Sequence, residues 1–310
     1  KAEGYYETVG QYNLNASVDL AKNTHALTLS GGRNFFDGFS FEDTSRVQQW
    51  RPKEQIFGSI KYSNTIKKLS YQIKGDVFEE NLISRGAPRK PYGETAFDDY
   101  FATYRISSGI NATYKIKKGQ EINVLAGYNY YQRTKARYLK DLVNIQYTLL
   151  DDLASQDTSF FDLIFSRGTY SFSKDSAKIN YQFGYDINVE SNRGKRIEEG
   201  QKQIGDYAVF GSMEYRPNSK TVIRPGLRYS YNTAYETPLI PSLNIKYQWT
   251  RHLSTRASWG RGFRAPSLKE LHFLFVDLNH NIQGNQNLEA ESSDNFMLQC
   301  TYKRGVKRGV

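Results

Sequence analysis

The chain has one cysteine, Cys300, among its 310 residues. A single thiol forms no internal disulfide and no cysteine-based metal cluster. Long apolar runs are absent as well, because no stretch approaches the roughly 18 apolar residues of a membrane-spanning helix. These absences exclude a disulfide scaffold and a helical membrane protein. They leave a transmembrane β-barrel open, since alternating apolar and polar residues give a low mean hydropathy, here -0.67.

Enzyme signatures are also absent from the sequence, which has no GxSxG, HExxH, Walker A or EF-hand loop. The acidic pairs Asp98-Asp99 and Asp151-Asp152 are sequence neighbours, and on a strand such neighbours point to opposite faces. We therefore expect no enzyme, no catalytic residue, no metal site and no resident cofactor. The net charge of +10 is spread along the chain without a stacking platform, which excludes a nucleic acid partner.

Alternation of apolar and polar residues is the strongest pattern present. From Ile179 to Glu190, apolar residues occupy every odd position and polar residues or glycine every even position. Successive side chains of a strand point to opposite faces, so this segment predicts a strand with one apolar and one polar face. Similar patterns predict about 13 strands, at 8–21, 25–34, 53–64, 69–80, 99–115, 121–134, 158–172, 177–190, 205–216, 221–233, 241–249, 252–263 and 292–303.

Short and long connections alternate between these strands. The short turns are predicted at 22–23, 65–68, 117–120, 173–176, 217–220 and 250–251. The long loops are predicted near 35–52, 81–98, 135–157, 191–204, 234–240 and 264–291. Tight turns at one end and long loops at the other are typical of outer-membrane barrels.

The predicted fold class is therefore all-β, a transmembrane antiparallel up-and-down β-barrel. A soluble β-sandwich or propeller also alternates, but its strands average nearer 5–6 residues. Its second face is also less polar than the polar face here. Aromatic residues near strand ends, such as Tyr128, Tyr130 and Tyr131, further favour a barrel with aromatic girdles.

The most specific stretch runs from Leu253 to Asn295 and contains two short boxes. The first box is Phe263, Arg264, Ala265 and Pro266, and the second is Asn285, Gln286, Asn287 and Leu288. This stretch resembles a signature of TonB-dependent outer-membrane receptors, with Gln286 standing where the family usually has proline. The resemblance covers residues 205–303 strongly and the remaining strands by their pattern.

The resemblance implies a receptor with a 22-stranded barrel and a plugged lumen. About 13 strands cannot close such a barrel, so we expect residues 1–310 to form a partial barrel domain. The plug, its energy-coupling box and the end of the barrel are then expected outside this chain. The implied partners are the TonB energy-coupling protein through the plug, outer-membrane lipid and a scarce nutrient such as haem, a ferric siderophore or cobalamin. A passive, porin-like diffusion barrel is the alternative.

Three residues are candidate ligand contacts. In haem receptors of this family, a loop histidine between the two boxes coordinates the iron, and His272 and His280 both lie there. Imidazole is a natural axial ligand of haem iron, and His280 is favoured because it lies in the polar run 277–281. Haem would then be a transported ligand and not a cofactor. Arg264 could bind an anionic group of the ligand or form an internal salt bridge.

Overall fold

A computed structural model describes residues 1–42, 44–152, 155–276 and 281–303. Strands dominate it, together with one short helix and one 3-10 turn at Glu198–Gly200. The strands are β1 (Ala2–Glu7), β2 (Gln11–Lys22), β3 (His25–Phe36), β4 (Lys53–Ile66), β5 (Leu69–Pro88), β6 (Thr95–Lys117), β7 (Gln120–Asp141), β8 (Tyr147–Leu149), β9 (Gln156–Phe172), β10 (Ile179–Gly194), β11 (Gln201–Tyr215), β12 (Thr221–Asn232), β13 (Ile240–Gln248), β14 (Leu253–Arg264), β15 (Leu274–Val276), β16 (Asn281–Gln283) and β17 (Glu291–Tyr302), and the helix is α1 (Leu268–His272). No helix among the described residues is long and apolar enough to cross a membrane.

The main sheet is an antiparallel meander. Each strand pairs with its neighbour along the chain from β1 to β7, then from β9 to β14, and finally β14 with β17. β8 pairs with β7 beside this path, and β15 and β16 form a separate hairpin. Since every step is antiparallel, the long connections all lie at one end of the sheet and the short turns at the other. This confirms the predicted topology.

Several predicted loops are wrong in extent, because their residues continue the strands. β5 and β6 run through most of 81–98, while β7 and β9 enter 135–157. β10 and β11 likewise shorten the predicted loop 191–204 to the connection 195–200. Cross-strand pairs such as Arg137 with Asp99 continue the ladder there. Charged residues end the apolar alternation, but they do not interrupt backbone pairing. β1 was also missed, because its pattern is short.

The two faces of the sheet differ as the alternation predicted. In β10, Phe183 belongs to the apolar face, and 55% of its surface is exposed. Asp186 belongs to the polar face and forms an ion pair at 3.0 Å with Arg228 of β12, which lies 3.5 Å from Asp206 of β11. The polar face thus carries an ion-pair ladder across neighbouring strands, while the apolar face has few partners within the chain.

The apolar face has a sharp upper limit toward the long-loop end. Its residues run from Leu69 to Val77 in β5 and from Ile122 to Tyr130 in β7, and then Glu79 and Gln132 follow on the same face. Each apolar run has about the 9–11 residues that a tilted transmembrane strand needs. The remainder of β5, β6 and β7 therefore extends beyond the apolar band.

Aromatic rings on this sheet pack over glycines of the neighbouring strand. The ring of Tyr185 occupies the space that a Cβ atom on Gly168 would fill, and these two residues are direct cross-strand partners. Phe165 covers Gly127 in the same way, with a ring carbon 2.6 Å from the Cβ position. The glycines therefore let large rings lie flat on the sheet, and neither position accommodates a side chain without moving its ring.

Candidate functional site

The connection between β14 and β17 folds across the polar face at the long-loop end. It contains α1, which begins with a capping box: the Ser267 hydroxyl accepts the Glu270 N–H, and the Glu270 carboxylate accepts the Ser267 N–H at 2.8 Å. Leu268 and Leu271 of α1 are buried together with Ile204 of β11. This small apolar core fastens the loop to the wall of the sheet.

Arg264 lies at the base of this loop, between two carboxylates. Its guanidinium is 2.5 Å from Glu270 and 3.1 Å from Glu291, so it joins the end of β14 to α1 and to the start of β17. Hydrogen bonds from Ser267, together with the charge of Arg264, hold the pKa of Glu270 below its usual value. The internal salt bridge considered for Arg264 is therefore present, and its ligand contact stays a prediction.

His272 connects the same loop to the 3-10 turn between β10 and β11. Its Nδ1 is 3.2 Å from a carboxylate oxygen of Glu198, and only 15% of its side chain is exposed. Gln286 donates to that same oxygen at 2.5 Å. The hydrogen bond from His272 is the main cause that lowers the pKa of Glu198. His280, the other histidine of the loop, lies outside the described residues.

The two sequence boxes meet in the folded loop. The backbone N–H of Asn285 donates to the carbonyl of Glu270 at 2.9 Å, and that of Gly284 donates to Phe273 at 2.6 Å. A Cβ atom on Gly284 would lie 2.5 Å from the Leu271 carbonyl carbon, so the approach requires glycine. The boxes thus build the loop framework. Their other members are Phe263 within β14, Ala265, the buried Pro266, the exposed Asn287, whose N–H donates to Asn285 Oδ1, and Leu288, whose N–H donates to the Asn285 carbonyl.

A second cluster lies on the polar face of β5, β6 and β7, where these strands extend beyond the apolar band. Three guanidinium groups stack there on phenyl rings, and we call these residues the basic–aromatic row. Its pairs are Arg105 over Phe78 at 4.1 Å, Arg133 over Phe101 at 5.1 Å and Arg137 over Phe97 at 5.8 Å. Arg137 also forms a two-pronged ion pair with Asp99, at 2.7 and 2.8 Å.

The row has the chemistry of an anion site with aromatic character. Arg105 and Arg133 are exposed, so the N–H groups at the edges of their guanidiniums can reach a ligand while the rings fix the planes. Sequence interpretation missed this row because it placed 135–157 in a loop. The signal was the spacing of Arg133, Lys135 and Arg137, which are alternate residues and therefore share one face of a strand.

Residues 5–298 match the family described as "TonB dependent receptor-like, beta-barrel". The chain belongs to this family. Among curated TonB-dependent receptors, the ferric enterobactin receptor PirA of Pseudomonas aeruginosa is 27% identical over 124 residues, which are 36% of this chain and 16% of that receptor. The match covers most of the chain, so the family assignment rests on far more than the two boxes.

Solved TonB-dependent receptors share the fold. The siderophore receptor PirA from Pseudomonas aeruginosa has a TM-score of 0.68 and 15% identity, over 96% of this chain and 51% of that receptor. The FrpB iron transporter from Neisseria meningitidis has a TM-score of 0.66 and 13% identity, over 96% and 50%. This chain therefore spans about half the length of these structures, as a partial transmembrane barrel. In such a barrel the polar face lines the lumen.

Proposed function

We propose that this receptor barrel takes up an anionic ferric siderophore with aromatic iron-binding groups across the outer membrane. The basic–aromatic row is the observation that carries the proposal, because it joins positive charge to aromatic surface on the lumen wall. The names of its relatives agree with this class of ligand, since they include ferric enterobactin receptors and an iron transporter.

Catecholate chelates of ferric iron combine the two properties that the row recognises. Their net negative charge attracts guanidinium groups, and their rings can stack on a guanidinium plane or on phenylalanine. Arg105 and Arg133 lie on adjacent strands, on opposite sides of the Thr103–Tyr131 level of the β6–β7 ladder. A ligand larger than a single catechol therefore contacts both.

The remaining parts of the mechanism follow from the barrel. The apolar band contacts outer-membrane lipid, the long loops face the outside, and the polar face encloses a plug domain that couples to TonB. Ligand binding on the row and the loops then precedes movement of the plug. Family membership favours this energy-coupled receptor over a passive, porin-like diffusion barrel.

The test is to replace Arg105 and Arg133 with alanine in the full-length receptor. Binding of a ferric catecholate should fall steeply, because each lost contact between charged groups is worth about 1.5–3 kcal/mol. Lysine at both positions should restore part of the affinity, since it keeps the charge and loses the planar stack. Arg261→Ala is the matched control, because that arginine lies on the apolar face and pairs with Asp294. Unchanged binding in the double alanine variant would refute the proposal.

Haem ligation by His280 remains a separate prediction. His272 is already bonded to Glu198, so its replacement by alanine should leave a haem spectrum nearly unchanged. His280→Ala should shift the Soret band of haem bound to the full-length receptor. If the receptor with both histidines intact shows no haem spectrum, this prediction is wrong, while the siderophore proposal is unaffected.

A further inference from the structure

A cluster of cations lies on the polar face at the short-turn end, far from the basic–aromatic row. It surrounds a cavity of about 320 Å³ on β11 to β14. Four cations and a single carboxylate line this cavity, and we call them the lower basic cluster: Arg216, Arg224, Lys246, Arg256 and Glu214. The charges are therefore unequal on a wall that otherwise pairs its charges.

The single carboxylate is already engaged. Glu214 forms ion pairs with Arg216, at 2.7 Å, and with Arg224. Lys246 and Arg256 take no part in an ion pair among the residues that the structure describes. They are direct cross-strand partners, and like charges in that arrangement destabilise a sheet. The wall therefore lacks the negative charge that would make this arrangement favourable.

A second basic cavity lies on the same face and at the same end. It has a volume of about 490 Å³ and adjoins the turns that follow β4, β6 and β9. Lys68, Lys115, Lys117 and Lys118 line it together with one acidic residue, Glu121. These two excesses of positive charge lie several strands apart, which is too far for one small anion to neutralise both.

We propose that these two cavities dock acidic side chains of the polypeptide that occupies the lumen, and this inference rests on the receptor function proposed above. The cations face the lumen, and Arg224 and Arg256 are exposed, as a surface that receives another folded unit would be. Carboxylates fixed on a plug domain can reach both cavities at once. The short-turn end then holds the plug, while the opposite end recognises the ligand.

Zero-length coupling tests this contact in the outer membrane that contains the full-length receptor. A water-soluble carbodiimide joins a lysine amine to a carboxylate only when the two are in contact, and mass spectrometry identifies the joined peptides. We expect an amide between Lys246 and an aspartate or glutamate outside residues 1–310, and loss of that amide in Lys246→Arg. If Lys246 forms no such amide, or couples only to Glu214, the proposal is overturned.

Charge reversal separates this contact from ligand binding. The double variant Lys246→Glu, Arg256→Glu should loosen the plug and admit large hydrophilic antibiotics, while ferric catecholate binding at the row is retained. Lys220→Glu is the matched control, because Lys220 is an exposed cation of a short turn outside the cluster. Unaltered exclusion of the antibiotics in the double variant would contradict the docking contact. Loss of ligand binding in the Arg105 and Arg133 variants tests only the proposed function.

Discussion

Glu198 holds the β14–β17 connection through two donors from different parts of the loop, His272 and Gln286. Its pKa is lowered in the folded state, chiefly by the hydrogen bond from His272. A carboxylate with a lowered pKa stabilises the folded state above its ordinary pKa. That stabilisation disappears as the pH falls through the lowered value. The attachment of the loop is therefore sensitive to acid.

We predict that acidification below the usual glutamate range releases this loop in the full-length receptor. Hydrogen exchange at residues 281–288, corrected for its intrinsic pH dependence, should accelerate as Glu198 becomes protonated. Glu198→Gln should show the faster exchange already at neutral pH, because the amide lacks the charge that attracts both donors. Glu199→Gln is a suitable control, since Glu199 is exposed and pairs only with Lys202. Equal exchange in both variants would count against this role of Glu198.

At the scale of the strand, alternate residues of β10 face different solvents. Phe183 should lie near the lipid midplane, so Phe183→Arg is predicted to cost about 2–4 kcal/mol of folding free energy. Gln182→Arg should cost little, because position 182 faces the polar side. Refolding of the full-length receptor into lipid vesicles, followed by urea titration, measures both values. Equal costs at the two positions would show that the face assignment is wrong.

Strand pattern and strand length were not equally predictable. The alternation from Ile179 to Val189 identifies β10 because lipid on one face and water on the other impose it. Above the apolar band both faces contact water, so Ser191 to Gly194 carry no alternation, although their backbone still pairs with β11. Hydrophobic patterning thus locates the membrane band, and backbone pairing that it cannot report sets the strand ends.

The candidate site shows a similar division. The boxes around Arg264 and Asn285 are recognisable because they are continuous in sequence, and the structure brings them together through Glu270. The basic–aromatic row comes from three strands, so no continuous motif announces it. Only the cross-strand register, for example Phe78 opposite Arg105, brings each ring to its cation.

At the scale of the whole molecule, the described sheet ends at β1 and β17 and does not close on itself. β17 is exposed along most of its length, with 78% of Phe296 and 79% of Leu298 accessible. Free strand edges leave backbone groups without partners, which a bilayer does not satisfy. The sheet therefore needs further strands before it is stable in lipid.

We predict that a polypeptide of residues 1–310, produced alone, associates through these edges in detergent. Size-exclusion chromatography with light scattering should show oligomers or aggregates and no discrete monomer. The full-length receptor, handled identically, is the control. A monodisperse monomer of residues 1–310 would mean that the two edges are satisfied in another way.

The extension of β5 and β6 beyond the apolar band sets which surface the immune system meets. From Val77 to Pro88 the strand rises about 25 Å above the lipid boundary, given about 3.3 Å per residue and a tilt near 45°. The basic–aromatic row lies below that rim, inside the mouth, where an antibody domain does not enter. Antibodies therefore contact the connections 37–52 and 89–94. Those residues can vary in antigenicity while the cargo that the receptor carries stays the same.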